Sequence, residues 1–113
     1  MPLGPRRWGG GCNLPLERRR LRRPWPFALL HITSSSVVVR PLLTKLRWEI
    51  KFGDVQGVEQ IQLSVGKGVR LTTSEGAWYF YTYEAGFIMR ELARRGITVS
   101  KEKARLRFPD LPR

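Results

Sequence analysis

Residues 46–52, Leu-Arg-Trp-Glu-Ile-Lys-Phe, carry the clearest structural signal in the chain. Every second residue is apolar and the residues between are charged, so that Leu46, Trp48, Ile50 and Phe52 alternate with Arg47, Glu49 and Lys51. A period of two over seven residues predicts a β-strand with one buried face and one solvent-exposed face.

Further strands are predicted on both sides of this segment. Before it, residues 37–39 are three valines, and this β-branched run ends at Pro41. After it, a second alternating run covers residues 60–65, and residues 69–73 and 78–81 predict two more strands. Glycine-containing turns at 66–68 and 74–76 join these strands as hairpins, because glycine accepts a positive φ without steric cost.

An amphipathic helix is predicted after the last strand, over about residues 83–95. Its apolar residues recur at i, i+3, i+4, i+7 and i+8, and they are Ala85, Ile88, Met89, Leu92 and Ala93. Polar residues, among them Glu91 and Arg95 as an i, i+4 pair, occupy the opposite side. Thr82 is the predicted N-cap and Gly96 the C′ residue. The predicted fold class is therefore mainly β, an antiparallel meander or partly open barrel capped by one C-terminal helix.

Residues 1–26 predict a disordered basic arm. The segment is rich in Arg, Gly and Pro, contains three consecutive glycines at 9–11, and has no hydrophobic period. Residues 1–30 hold seven arginines and one glutamate, which is half of the net charge of +12. The folded domain is expected over residues 27–99, and residues 100–113 predict a charged tail.

Few residues suited to catalysis or metal binding occur. Cys12 is the only cysteine and His31 the only histidine, which excludes an intrachain disulfide and a thiolate metal cluster. The acidic residues are scattered, and no pair is placed for acid–base catalysis. The longest apolar run, at 25–30, is far shorter than the roughly 20 residues of a membrane span, and no secretory signal is recognisable. We expect a non-enzymatic protein without cofactor or metal, cytoplasmic or at the inner face of the membrane.

Two groups of residues are candidates for binding. A polyanion would be attracted by cations of the arm and of the first alternating strand, namely Arg18, Arg19, Arg20, Arg22, Arg23, Arg47 and Lys51. Tyr79 and Tyr81 are candidates for stacking on nucleic-acid bases, with Trp78 and Phe80 in the core. The alternatives are a solvated basic surface and ordinary packing of the aromatic strand.

The order of elements over roughly residues 34–97 resembles a pleckstrin-homology-like (PH-like) domain of the bacterial type. Residues 37–60, VVVRPLLTKLRWEIKFGDVQGVEQ, are similar to the family's strand, basic turn, strand and link. Residues 68–96, GVRLTTSEGAWYFYTYEAGFIMRELARRG, are similar to its closing hairpin and capping helix. The family fold has seven strands, whereas four long ones are clear here, at 46–52, 60–65, 69–73 and 78–81, with a candidate fifth around residues 27–33. The family's lipid-headgroup motif has no residue-by-residue match, so that activity is not carried over.

The resemblance implies an interaction or scaffold module that docks a protein partner or lies near an anionic membrane surface. A free sheet edge would allow β-augmentation by a partner strand, and the basic arm would add electrostatic attraction. The alternative is a small RNA- or DNA-binding protein that uses the arm and the tyrosines. A third hypothesis is a domain cut from a longer membrane protein. No small-molecule substrate is evident.

Overall fold

The computed structural model describes residues 6–15, 20–63 and 66–106. These residues form eight strands and one α-helix, which in chain order are β1 (Arg6–Pro15), β2 (Arg20–Ile32), β3 (Ser36–Pro41), β4 (Trp48–Lys51), β5 (Val55–Gln62), β6 (Lys67–Thr73), β7 (Gly76–Tyr81), α1 (Ala85–Arg94) and β8 (Val99–Arg105). A short 3-10 turn at Phe52–Asp54 links β4 to β5. The mainly β class with one helix is confirmed.

All eight strands belong to one sheet, in the order β4-β3-β2-β1-β7-β6-β5-β8. The sheet curls into a half-barrel. Seven of its strands precede the helix, and their pairings are antiparallel, but β8 follows the helix and runs parallel to β5. The sheet is therefore mixed, and the expectation of a purely antiparallel meander is wrong, because the chain returns after α1 to cover the outer edge of β5.

The expectation of a disordered arm is wrong for the part of residues 1–26 that the structure describes. Residues 6–15 and 20–32 form β1 and β2, and β1 lies in the middle of the sheet between β2 and β7. Likewise, residues 100–105 of the predicted tail belong to β8. A chain that starts at residue 27 would lack a central strand, since β1 joins the two halves of the sheet.

The three consecutive glycines lie where β1 passes from one half of the sheet to the other. Up to Gly10 the strand pairs with residues 28–32 of β2, and from Cys12 it pairs with residues 20–23, so that residues 24–27 form a bulge in β2. From Gly11 the strand also pairs with the end of β7, and we call this point of β1 the bend. A Cβ atom on Gly10 would overlap the carbonyl oxygen of Tyr81 and lie 2.9 Å from Cζ of Phe80. On Gly11, it would lie within 3.0 Å of the β2 backbone. These glycines, which in the sequence alone indicate disorder, permit this close approach of backbones.

The core lies on the inner, concave side of the sheet and under the helix. Its members come from seven strands and α1, and the largest fully buried ones include Phe80, Leu14, Leu30, Leu71 and Leu92. Along β1 the inward positions are Trp8, Gly10, Cys12 and Leu14. β1 therefore follows the strand period of two, with a glycine at one of its inward positions.

The predicted strand at residues 46–52 is shorter in the structure, where β4 covers Trp48–Lys51. Ile50 is buried, while Trp48 and Phe52 are half-buried and pack against the core. Leu46, predicted to be buried, is 53% exposed. It lies before the strand, in the β3–β4 loop, so the alternation of the sequence extends beyond the strand itself.

The helix buries Ala85, Ile88, Met89 and Leu92 as predicted, whereas Ala93 is exposed. The predicted C′ residue Gly96 has φ +88. Glu84, rather than Thr82, is the N-cap residue, although the Thr82 hydroxyl accepts a hydrogen bond from the Glu84 N–H at 3.2 Å.

Glu91, predicted to face solvent, is buried and forms an ion pair with Arg95 at 2.9 Å. The Arg95 side chain is only 3% exposed and also donates to the carbonyl oxygen of Thr33. This pair therefore ties the end of α1 to the β2–β3 turn.

We predict that Gly10→Ala destabilises the fold by about 3 kcal/mol, since a new methyl group would force apart two paired backbones. Gly9→Ala is the matched control: no atom lies within 4 Å of its added Cβ, and a change within about 0.5 kcal/mol is expected. Urea unfolding of both variants measures the difference. Equal stabilities would show that β1 does not cross β7 as closely as described.

We predict that Arg95→Met lowers the free energy of unfolding by about 3 kcal/mol, because Glu91 would be left buried without this cation. Arg94 lies 3.5 Å from Glu91 on the same helix, but its side chain is 60% exposed. Arg94→Met should therefore change stability by less than about 1 kcal/mol. Similar losses in the two variants would contradict the assigned role of Arg95.

Candidate functional site

The outer face of the β1–β7–β6–β5 half carries a closed aromatic and charged cluster. Tyr79 lies in one cross-strand row with Asn13 of β1, Arg70 of β6 and Glu59 of β5. Arg70 forms an ion pair with Glu59, and its guanidinium carbon lies 5.9 Å from the Tyr79 ring centroid. Arg20 lies on the same ring at 5.7 Å. Tyr79 is consequently buried, with 5% of its surface exposed.

Arg20 is a structural residue rather than a free cation. Its guanidinium donates to the Asn13 side chain and to the carbonyl oxygens of Asn13 and Ala77, and so holds the start of β2 against β1 and β7. Because Arg20 and Arg70 flank Tyr79, the ring of this tyrosine is closed to a nucleic-acid base. The predicted arrangement of Trp78 and Phe80 in the core is observed.

The other predicted polyanion-binding residues do not form one patch. Arg18 and Arg19 lie outside the described residues. Arg22 and Arg23 belong to the first half of β2, which pairs with β1 beyond the bend. Arg47 precedes β4 and Lys51 ends it, at the far edge of the sheet, and both are exposed. Among the described residues, the structure thus separates Arg22 and Arg23 from Arg47 and Lys51.

A different set of cations surrounds His31 on the outer face of the β1–β2–β3–β4 half. Arg7 is the cross-strand partner of His31, and the charges of Arg7, Arg40 and Arg47 act on its imidazole. We call these four residues the cationic face. Glu49 continues the same cross-strand row through Val38. Its carboxylate accepts a hydrogen bond from the Ser36 hydroxyl at 2.6 Å and lies 3.7 Å from the Arg47 guanidinium.

Burial and the neighbouring arginines lower the pKa of His31. Burial of the imidazole is the first cause, and the positive charges of Arg7, Arg47 and Arg40 add to it, because all of them disfavour the imidazolium form. Nε2 of His31 is buried and has no hydrogen-bond partner among the described residues. His31 is therefore neutral at physiological pH and lies where an anion would be attracted.

Exposed aromatic rings line a small groove at the end of the sheet where β1 bends. It is formed by Trp25 of β2, Leu63 and Lys67 at the β5–β6 turn, and Tyr81 and Tyr83 at the end of β7. We call these five residues the aromatic groove. Trp25 is 58% and Tyr83 66% exposed. Tyr81 is half-buried and stacks on Tyr79, with ring centroids 6.4 Å apart, and burial raises its pKa to about 12.

A second apolar surface lies on the β3–β4 loop, residues 42–47, which we call the leucine loop. Leu43 is 97% exposed, Leu46 53% and Leu42 38%. Leu43 also has φ +65, which an L-residue with a bulky side chain rarely adopts. The Leu42 N–H donates to the carbonyl oxygen of Phe27, itself 46% exposed, at 2.9 Å. The loop is therefore anchored to the β2 bulge while its leucines point away from the core.

The described residues contain no group of three or more His, Cys, Asp or Glu side chains that could hold a metal ion. Burial raises the pKa of the Cys12 thiol to about 11, so the thiol is protonated at physiological pH. In the same part of the chain, no helix has the length and hydrophobicity needed to cross a bilayer.

Most of this surface is not predicted by the sequence. The proximity of Arg7 and Arg40 to His31 could not be predicted, because it follows from the registers of β1 with β2 and of β2 with β3. β1 itself was not expected as a strand. Trp25 and Tyr83 come together only through the fold. One local signal was available: two leucines at 42–43 directly after Pro41, where a polar turn would be usual.

We predict that the stability of the folded chain falls as the pH drops below about 6.5, in part because of His31. The unfolded chain takes up a proton there, whereas the folded chain, with its lowered His31 pKa, does not. The loss of unfolding free energy between about pH 7.5 and about pH 5.5 should be smaller in His31→Gln. Equal losses in both proteins would contradict the assignment. Arg47→Gln should raise the His31 pKa in an NMR titration of its imidazole protons.

No family model matches the sequence, and no curated protein matches it. Solved structures do match in fold. A chain of the Spt16D–Pob3N heterodimer superposes with a TM-score of 0.64 at 8% identity over 93% of this chain, which spans 56% of that structure's length. The C-terminal domain of an unknown protein from Leishmania infantum matches with a TM-score of 0.55 at 11% identity, over 75% of this chain and 77% of that one. The chain thus has a PH-like fold.

Proposed function

We propose that the chain is a non-enzymatic, PH-like interaction module that docks an acidic protein partner in the aromatic groove. The observation that carries this proposal is the exposure of two large aromatic side chains, Trp25 and Tyr83, on one groove. Tryptophan and tyrosine contribute most often to the energetic centres of protein interfaces. They also offer a large contact area with few rotatable bonds.

Charge favours an acidic partner. Lys67 lines the aromatic groove, and no Asp or Glu is among the groove's lining residues. The chain as a whole carries a net charge of +12. Complementary charge accelerates association and selects against basic partners. A segment with acidic residues around an apolar anchor fits both properties of the groove.

The sheet edges are less suited to binding than the groove. β4 is four residues long and bears the charged side chains of Glu49 and Lys51, while β8, at the other edge, bears exposed Lys103 and Arg105. Short, charged edges discourage the pairing of a further strand. Docking through side chains in the groove is therefore preferred here over β-augmentation.

The comparison with solved structures supports a protein partner only coarsely. One structural neighbour is a chain of a heterodimer, so this fold is compatible with assembly between unlike chains. The narrower assignment to the bacterial type rests on the sequence pattern of residues 34–97 and is part of the proposal. So is the absence of catalysis, which is supported by the involvement of Glu59 and Glu91 in ion pairs and by the buried, protonated thiol of Cys12.

A nucleic-acid-binding function remains the alternative, but the two features predicted for it are altered in the structure. Arg20 is committed to hydrogen bonds with β1 and β7, and Tyr79 is buried beneath two guanidinium groups. Two exposed rings that could stack on bases, Trp25 and Tyr83, lie instead in the aromatic groove beside Tyr81. The nucleic-acid alternative is therefore tested with the same variants as the peptide-docking proposal.

We predict that a random-sequence peptide library displayed on phage, selected on the full chain, yields acidic peptides with an apolar anchor. Trp25→Ala and Tyr83→Ala should each weaken the binding of a synthetic copy of the best peptide by about tenfold or more, as measured by fluorescence anisotropy. Phe87→Ala is the matched control, since Phe87 is 59% exposed on α1 and does not line the groove.

Two results would contradict this proposal. One is a set of selected peptides without acidic bias; the other is binding that Phe87→Ala weakens as much as Trp25→Ala does. Poly(A) single-stranded RNA is measured with the same variants. Tight RNA binding that falls on Trp25→Ala and Tyr83→Ala, without peptide binding, would establish the nucleic-acid alternative instead.

A further inference from the structure

The leucine loop combines two features that the folded chain alone does not explain. Leu43 is 97% exposed, so its side chain gains nothing from the core, and its φ of +65 is unfavourable for a residue with a Cβ. Leu42 and Leu46, on the same loop, are also exposed. Strained backbone conformations are concentrated at sites that contact other molecules.

The loop has a defined shape. The Thr44 hydroxyl donates to the carbonyl oxygen of Pro41 at 3.1 Å and accepts from the Leu46 N–H at 3.2 Å. The backbone hydrogen bond from Leu42 to Phe27 fixes the loop to β2. The leucines are therefore presented on an ordered support, which reduces the entropy lost on binding.

Exposed cations surround these leucines. Arg40 directly precedes Pro41, Lys45 lies within the loop, and Arg47 ends it; all three are exposed. Arg40 and Arg47 belong to the cationic face, which continues through His31 to Arg7 on the adjacent strands. The exposed leucines thus have positively charged side chains next to them, both on the loop itself and on the adjacent cationic face.

We propose that the leucine loop inserts into an anionic membrane surface. Protruding aliphatic side chains flanked by Lys and Arg are typical of segments that bury their apolar part at the boundary between headgroups and acyl chains. The cationic face would then lie against the negatively charged headgroups, where each cation strengthens binding about fivefold. This inference concerns a surface other than the aromatic groove and does not depend on the protein partner.

Other partners fit this loop less well. Nucleic-acid bases stack on aromatic rings, whereas the exposed apolar side chains of the loop are leucines. The energetic centres of protein interfaces are enriched in Trp, Tyr and Arg, and leucine is under-represented in them. A bilayer needs neither an aromatic ring nor a shaped cavity, only apolar side chains that protrude and cations around them.

We predict that the full chain co-sediments with vesicles of phosphatidylcholine containing about one-third phosphatidylserine, and far less with phosphatidylcholine alone. Leu43→Asn should weaken vesicle binding about tenfold or more, since a leucine would no longer be buried in lipid. Asparagine tolerates a positive φ, so this variant should keep the stability of the parent. Phe87→Ser, at an exposed apolar residue of α1, should leave binding unchanged.

The position of insertion is measured with the NBD fluorophore attached to Leu43→Cys. Labelling is selective, because the natural Cys12 is buried and its thiol protonated. We expect brighter, blue-shifted emission with anionic vesicles. The control label at Ser74→Cys lies in the β6–β7 turn, at the opposite end of β7 from the bend, and should not respond.

Three outcomes would overturn the inference. Failure to sediment with anionic vesicles is the first. In the second, Lys45→Gln and Arg47→Gln weaken binding but Leu43→Asn does not, which would indicate surface electrostatics without insertion. The third is a loss of peptide binding, and not of vesicle binding, in Leu43→Asn, which would make the loop a protein-docking surface. Loss of peptide binding in the groove variants alone would leave the inference standing.

Discussion

The close approach of β1 to β7 at Gly10 and Gly11 is the constraint on which the rest of the structure depends. At this point β1, which stays paired with β2 along one edge, gains β7 as its neighbour along the other edge and so joins the two halves of the sheet. No side chain fits at Gly10, because the Tyr81 backbone and the Phe80 ring occupy the space. The bend lets one sheet enclose a core on one side without a second layer of strands.

The bend also divides the outer surface into two faces with different properties. On one face, Arg20 and Arg70 cover Tyr79, and the Glu59 carboxylate partly balances their charge. On the other, cations gather around the single histidine with one acid nearby. The loops that emerge beside the bend carry the exposed rings and leucines. Binding surfaces thus arise where strands end or turn, and the regular cross-strand rows mainly stabilise the fold.

The sequence predicts the second half of the fold better than the first. From residue 55 to residue 96, alternation, turn glycines and helical spacing are local signals, and the pairings join neighbours in sequence. The first strands lack such signals, since Gly10 interrupts the inward row of β1 and prolines occupy the β2 bulge. The cationic face was predicted least well, because Arg7, Arg40 and His31 come together only through strand register.

The central position of β1 has a consequence for synthesis on the ribosome. β1 emerges first and can pair early with β2, but its second partner, β7, is translated about 70 residues later. At 5–20 residues per second, this delay amounts to roughly 4–14 s. During that time one edge of β1 has unpaired backbone groups, and a nascent chain in this state is prone to aggregation. Chaperones that shield nascent chains would therefore act on this strand edge until β7 has been made.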